Sequence, residues 1–229
     1  MELLNNGFTL QIYDGCFPLS TDSMVLADFV KLPRQAHVLD LGAGAGTLGL
    51  LLCAKRDDCH VTGIELDPTA HSCALDNVAR NNLGNRMTCV CGDLRSFQPA
   101  LGSFDVCISN PPYFTGGPAA KLTGARRTDT CVPEDLFRAA QQALKYGGDF
   151  FLVHKPERLA ELITTAAKYS LEAKRLCLLR HRADAPVNLI LLQLRKGAKP
   201  GLIWEEIILH HADGSPTPVY REIYHTIGG

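Results

Sequence analysis

From Val38 onward the chain changes repeatedly between short, dense apolar runs and longer stretches in which apolar residues recur every third or fourth position. The dense runs end at Asp40 and then occupy 60–66, Met87–Cys91, Phe104–Ser109 and 149–153. Their lengths and flanking turn residues predict buried strands. The stretches between them predict helices: Thr47–Lys55, one opening at Asp67-Pro68, one from Pro133-Glu134-Asp135 to just before Gly147-Gly148, and one from Lys155-Pro156 to about Tyr169. Proline and acids suit a first turn, where N–H groups lack partners and the helix end is partially positive. Strand alternating with helix is the pattern of a doubly wound α/β sheet, mostly parallel.

Two later apolar runs, 176–179 and 187–194, joined by polar Arg182-Ala183-Asp184-Ala185-Pro186, predict an antiparallel hairpin that completes a mixed sheet. The first 35 residues predict a short strand at Phe8-Thr9-Leu10-Gln11-Ile12, a turn at Asp14-Gly15, and a helix capped by Ser20 or Thr21. That helix carries Met24, Val25, Ala27, Phe29 and Val30 at helical spacing. At the other end, 202–209 and 220–225 around Asp213-Gly214 predict a final hairpin. The expected organisation is one domain: an N-terminal cover over 1–35, a core over 36–195, and a C-terminal hairpin extension over 196–229.

The first strand of the core breaks into Asp40-Leu41-Gly42-Ala43-Gly44-Ala45-Gly46. Glycine at alternate positions lets the backbone approach a ligand that side chains would block. Gly44 to Gly49 fits the dinucleotide pattern G-x-G-x-x-G, with Glu65 at about the expected distance of 20 residues. The triplet Gly42, Gly44 and Gly46 behind Asp40 is similar instead to the turn that binds S-adenosylmethionine in methyltransferases. A carboxylate there suits a cationic methionine moiety better than a pyrophosphate.

Ligands of open parallel sheets lie beyond the carboxyl ends of the strands. Glu65, ending the second strand, is placed there to accept both ribose hydroxyls. Asp93, after the third, is placed to accept from an adenine amino group or to cap a helix. Leu66 and Leu94 stand beside them as candidate cofactor contacts. The fourth strand runs into Asn110-Pro111-Pro112-Tyr113-Phe114, the most specific stretch in the chain. Its prolines hold the segment extended and supply no N–H, leaving carbonyl oxygens free to accept.

Asn110 adds a side-chain carbonyl. Two acceptors aimed at one planar NH2 group draw its nitrogen toward tetrahedral geometry, so the lone pair can point at an electrophile. Asn110, Pro111, Pro112 and Tyr113 are the candidate catalytic residues, with Asn110 also bordering the cofactor. Tyr113 and Phe114 offer flat faces to a base taken out of its stack. Lys121, Arg126 and Arg127 follow with no acid between them, a basic lid suited to a phosphate-bearing substrate or else a solvated loop.

The order of these elements resembles class I S-adenosylmethionine-dependent methyltransferases, whose fold is Rossmann-like, and Asn-Pro-Pro-Tyr resembles those acting on amino or amide nitrogens. Phe17-Pro18-Leu19-Ser20-Thr21-Asp22-Ser23, Ala125-Arg126-Arg127 and His154-Lys155-Pro156-Glu157-Arg158-Leu159 extend the resemblance to the bacterial tRNA(Val) adenine-N6 methyltransferase family, over roughly residues 5–225. The resemblance implies S-adenosyl-L-methionine held by Asp40, Gly42, Gly44 and Glu65, its adenine by Asp93, and the target base by Asn110 to Tyr113. It implies N6-methylation of the tRNA adenine next to the anticodon, by direct displacement without a metal or a covalent enzyme intermediate.

Other readings share the motif. A glutamine amide of a release factor poses the same nucleophilicity problem, although the long N-terminal helical domain of such enzymes has no counterpart here. A DNA adenine methylase would need a target-recognition domain that 229 residues do not show. A cofactor-binding module without turnover is the non-enzymatic alternative.

A net charge of -1 disfavours a protein that coats nucleic acid indiscriminately. Residues 1–149 hold 12 Lys/Arg against 16 Asp/Glu and residues 150–229 hold 11 against 8, which directs a polyanion to the C-terminal half. Lys174, Arg175, Arg180, His181 and Arg182 form its densest cluster, either a phosphate contact or a solvated sheet edge. Nine cysteines, an odd count without C-x-x-C, indicate neither a disulfide framework nor zinc, and Cys89, Cys91 and Cys107 are expected to be buried in strands. His210-His211 and His225 have no metal-ligand spacing, so no metal is expected. With no apolar run of about 18 residues and no signal-like N-terminus, a cytoplasmic protein without membrane association is expected. A monomer is the favoured state, with tRNA as the partner that the resemblance implies.

Overall fold

The computed structural model describes residues 2–4, 7–112 and 132–225. Eight strands form one sheet: β3 (His37–Leu41), β4 (His60–Glu65), β5 (Met87–Cys91), β6 (Phe104–Ser109), β7 (Leu144–His154), β8 (Leu171–Arg180), β9 (Val187–Lys196) and β10 (Ile203–Ile208). A separate antiparallel pair, β1 (Glu2–Leu3) and β2 (Thr9–Leu10), precedes them. The helices are α1 (Thr21–Phe29), α2 (Thr47–Lys55), α3 (Pro68–Arg80), α4 (Pro133–Ala143), α5 (Leu159–Lys168), which follows a 3-10 turn at Pro156–Arg158, and α6 (Pro218–His225).

The sheet order is β10-β8-β9-β7-β6-β3-β4-β5. All neighbours run parallel except at β9, which is antiparallel to both β7 and β8. The expected mixed, mostly parallel sheet with an antiparallel hairpin is therefore present. Because β3 pairs with β4 on one side and β6 on the other, strand order reverses between β3 and β6, where such sheets bind ligands.

Each face of the sheet is covered. Leu26, Phe29, Leu50, Leu52 and Val78 from α1, α2 and α3 pack on one side with Phe151, and Leu136, Phe137, Ala140, Leu162 and Ala166 from α4 and α5 pack on the other with Phe150. Phe29 meets Phe151 edge-on at 5.9 Å, and Phe137 meets Phe150 likewise at 5.9 Å. Each such fully buried aromatic contributes about 1.5–3 kcal/mol relative to exposure.

Four expectations need correction. First, β7 starts at Leu144 rather than Asp149 and runs through Gly147-Gly148. A register shift opposite Phe104/Val106 accommodates the extra residues. A Cβ at Gly148 would lie 2.9 Å from the Asp105 carbonyl, so the glycine marks a bulge and not a break. Second, the C-terminal extension is no hairpin. β10 pairs parallel with β8, and 218–225 is helical. Thr217 Oγ1 accepts the Tyr220 N–H at 3.2 Å, Pro218 stands in the first turn, and Tyr220, Ile223 and Tyr224 pack onto the core at helical spacing.

Third, β8 is an interior strand, so its arginines do not line a solvated sheet edge, and they are paired with acids. Arg175 grips Glu205 of β10 through two bonds of 2.9 and 2.8 Å and lies 4.1 Å over the Phe29 ring, and Arg180 pairs with Glu206 at 2.7 Å. Arg182 pairs with Asp184 at 3.2 Å, and Lys174 donates to the Lys199 carbonyl. Fourth, the cysteines divide differently from expectation. Cys107 is buried, but Cys89 is half-buried and Cys91 exposed, because β5 is the outermost strand.

Candidate active site

Strand register brings the two sequence motifs to one place. Asp40 of β3 pairs with Ile108 of β6 and with Gly63 of β4. Two residues further along each strand, the glycine turn and Asn110-Pro111 therefore leave the sheet side by side. The Ser109 hydroxyl donates to the Leu41 carbonyl at 2.6 Å and ties these strand ends together inside the core. The Gly42 and Ala43 N–H groups both donate to the Ile64 carbonyl at 3.0 Å, which fixes the turn to β4.

Within the turn, two glycines are needed for different reasons. Gly44 has φ +56° and nothing within 4 Å of where a Cβ would stand, so its surface is open to a ligand. Gly46, the N-cap of α2, has φ +80°, and its Cβ would lie 2.8 Å from Met87 Cε, so packing beneath the turn requires the small residue. Gly42 shares the left-handed conformation and the open space. Glu65 accepts the Gly44 N–H at 2.8 Å and the Asp67 N–H at 2.7 Å. One carboxylate thus braces the turn, and Asp67 in turn caps α3.

Asp40 is buried, with a relative exposure of 1%, and among the described residues neither of its carboxylate oxygens has a hydrogen-bond partner. Burial first, and the Glu65 charge second, push its pKa up to about 8, and the nearby Gly49 amide offsets this only slightly. A buried polar atom left without a partner costs stability comparable to a lost hydrogen bond, so the arrangement suits a site where another group completes the pairing.

Asn110 is held from an unexpected side. Its Nδ2 donates to Ser23 Oγ of α1 at 3.1 Å, while its Oδ1 has no partner among the described residues. Pro111 is buried and Pro112 exposed. Asp93 heads a turn rather than a helix, accepting the Arg95 N–H and pairing with the Arg95 guanidinium. These bonds to Arg95 hold its carboxyl below the usual carboxylate range. Leu94 packs on the core, and Leu66 is exposed beside Glu65. Tyr113, Phe114, Lys121, Arg126 and Arg127 lie outside the described residues.

Three residues that sequence reasoning did not single out shape the site: Ser109, Ser23 and Asn77. Asn77 is fully buried on α3; its Oδ1 accepts the Gln11 N–H at 2.8 Å and its Nδ2 donates to the carbonyls of Gln11 and Ala45. Asn81, four residues on, makes the same reciprocal pair with Thr9. The two asparagines staple β2 to α3 and, through Ala45, to the glycine turn. An asparagine in the helix repeated four residues on at its C-cap was the available signal.

A cavity of about 370 Å³ lined by Lys31, Asp105, Lys145, Tyr146 and Gly148 opens at the opposite, amino end of the strands, away from these motifs. Among the described residues no helix is long and apolar enough to cross a membrane, and no group of three or more His, Cys, Asp or Glu could hold a metal ion.

Residues 19–169 match the family described as Methyltransferase small domain. A tRNA1(Val) (adenine(37)-N6)-methyltransferase of Aeromonas hydrophila subsp. hydrophila is 30% identical over 230 residues, covering 96% of this chain and 95% of its own. A protein of the same description from Bacteroides fragilis is 28% identical, over 93% of each chain. Among solved structures, a predicted O-methyltransferase from Agrobacterium tumefaciens superposes with a TM-score of 0.75 at 22% identity, covering 90% of this chain and 96% of that one. That last likeness concerns the fold.

Proposed function

The chain belongs to the Methyltransferase small domain family and to the tRNA1(Val) (adenine(37)-N6)-methyltransferase family, and we propose how its own residues carry out that reaction, N6-methylation of the adenine beside the anticodon of tRNA(Val). The pairing of β3 with β6, closed by the bond from Ser109 to Leu41, carries the reading. It sets a cofactor turn and an Asn-Pro-Pro acceptor segment at one mouth of the sheet.

The residues at that mouth fit S-adenosyl-L-methionine. Asp40 offers buried, unpartnered oxygens to a cationic group, Gly42 and Gly44 leave room for close approach, and Glu65 retains lone pairs for ribose hydroxyls beyond its two backbone bonds. Gly46 fixes the helix start behind them. Leu66 and Leu94 would flank the adenine, with Asp93 accepting from its amino group after the Arg95 pair yields. Bound S-adenosylmethionine supplies a methyl group already activated on a positively charged sulfur.

On the substrate side, Asn110 Oδ1 and the Pro111 carbonyl accept from the two hydrogens of N6. Withdrawing those hydrogens from the plane of the ring frees the nitrogen lone pair. Pro112 keeps the segment extended, so the acceptors hold their direction. Tyr113 and Phe114 stack on the flipped base, and Lys121, Arg126 and Arg127 take phosphates. Asn110 and Pro111 would hold N6 with its lone pair directed at the methyl group of bound S-adenosylmethionine, the proton of the methylated nitrogen passing to water. Alignment and electrostatics are the enzyme's contribution.

Incubation of the purified protein with radiolabelled S-adenosylmethionine and, separately, total tRNA, DNA or a protein lysate tests this directly. N6-methyladenosine recovered from tRNA(Val) after nucleoside digestion is the expected result. Label in a protein glutamine alone would transfer the site to amide methylation, and label nowhere despite cofactor binding would leave a module without turnover.

A further inference from the structure

An asparagine amide has two nearly isosteric ends. Turned one way, Asn110 offers Oδ1 to a substrate amine; turned the other, it offers NH2, and two donors would face each other. Activation of an amine therefore needs the amide held with Oδ1 toward it. Neither proline can hold it so, because proline has no N–H and its ring carries no polar atom.

Among the described residues one side chain is bonded to the amide, and in this arrangement it accepts from the Nδ2 end. Ser23 Oγ lies 3.1 Å from Asn110 Nδ2 and takes its hydrogen. Ser23 is itself buried and Asn110 half-buried, so water has only limited access to that bond. It rides on a helix held at several points. Ser20 caps α1 by accepting the Ser23 N–H at 3.4 Å, Thr21 accepts from Tyr224 of α6 at 2.8 Å, and Met24, Val25, Leu26 and Phe29 are in the core. The hydroxyl thus comes from a rigid element 87 residues earlier in the chain, outside the segment that it orients.

We infer that Ser23 is a positioning residue for methyl transfer: its hydroxyl, accepting from Nδ2 of Asn110, holds the amide in place with Oδ1 left for the substrate amine. The inference rests on the reading of Asn110 as the activating acceptor. Ser23 touches neither substrate nor cofactor in this scheme. Its loss acts on the rate of the bound complex, not on the assembly of that complex.

The test compares wild type, Ser23→Ala, Ser23→Cys, Ser23→Thr, Asn110→Ala and the Ser23→Ala/Asn110→Ala double variant, with S-adenosylmethionine and unmodified tRNA. Ser23→Ala should lower kcat about tenfold, the factor equivalent to about 1.4 kcal/mol, with KM for tRNA and Kd for the cofactor each within about twofold. Ser23→Thr should restore kcat to within about threefold, and Ser23→Cys, a weak acceptor, should fall between. In the double variant Ser23→Ala should cost nothing further, because no amide remains to orient.

A readout independent of turnover is the NMR side-chain amide pair of Asn110, identified by its absence in Asn110→Asp. Its hydrogen exchange should be slow in wild type and at least about tenfold faster in Ser23→Ala. Unchanged exchange, unchanged kcat, or an equal rate loss on the Asn110→Ala background would each overturn the inference. If Asn110→Ala is dead while Ser23→Ala turns over normally, this inference alone fails. If Asn110→Ala itself keeps full kcat, the reading of Asn110 as activator falls and this one falls with it.

Discussion

Asp40→Asn should make the ligand-free protein more stable while weakening the site. The Asp40 carboxyl, with a pKa raised to about 8 by burial and by Glu65, keeps its proton in the folded protein at pH values where the unfolded chain has lost it. The folded state therefore binds more protons than the unfolded state between about pH 4 and pH 8, and stability falls as pH rises through that window. Each unit of pH in the window costs about 1.4 kcal/mol, so the loss between about pH 5 and pH 8 amounts to about 4 kcal/mol. Above about pH 8 both states are ionised at this group, and its contribution levels off.

Asparagine, neutral throughout, lacks that slope. The quantity to measure is the difference in unfolding free energy between Asp40→Asn and wild type, from urea titrations at closely spaced pH. It should grow in favour of the variant by about 4 kcal/mol from about pH 5 to pH 8 and then flatten. A flat difference over that window would refute the protonation of Asp40 and the burial argument behind it. Cofactor titration calorimetry supplies the second half: wild type should bind S-adenosylmethionine with release of a proton near neutral pH, with affinity improving toward about pH 8. Asp40→Asn should bind at least about tenfold more weakly at that pH and show no proton release, because a cation favours the ionised carboxylate and finds none in asparagine.

Asn77→Ala should destabilise the protein by about 3 kcal/mol, read from urea unfolding, since it strands the Gln11 N–H and the carbonyls of Gln11 and Ala45. Gly46→Ala, forced to φ +80° and against Met87, should cost about 1–3 kcal/mol by the same measurement. Asn110→Ala should reduce kcat by at least about a hundredfold while leaving cofactor affinity, followed by calorimetry, within a few-fold, because the glycine turn and Glu65 remain in place.

The core was legible because its signals are local. The bounds of α2, β5 and β6 agree residue for residue with expectation, since each dense or amphipathic run is closed by its own glycine, proline or cap. The cap of α1 by Ser20 and of α3 by Asp67 could be read the same way. What failed was non-local or sterically unusual. β10 finds its partner in β8 about thirty residues earlier, Ile203 beside Arg175, with all of β9 between them, so an apolar run next to a turn suggested a hairpin that does not form. Gly147-Gly148 read as a breaker because the Asp105 carbonyl that demands a glycine comes from another strand.

The candidate site divides along the same line, and the division has a chemical cause. A ligand that must meet main chain leaves glycines and prolines in the sequence, because only those residues alter what the backbone can offer; Gly44 and Pro111 are visible for that reason. Groups that orient other side chains leave no such mark. Ser23 is an ordinary serine in a helical pattern, Asn77 an ordinary polar residue, and Ser109 the last residue of a strand, until register brings each to its partner. Asp40 was visible as a residue but not as a tension: that its carboxylate lies buried without a partner among the described residues follows only from the packing of β3 between β4 and β6. The sequence thus exposes the surfaces that a ligand touches, while the restraints that aim those surfaces arise from contacts made across the fold.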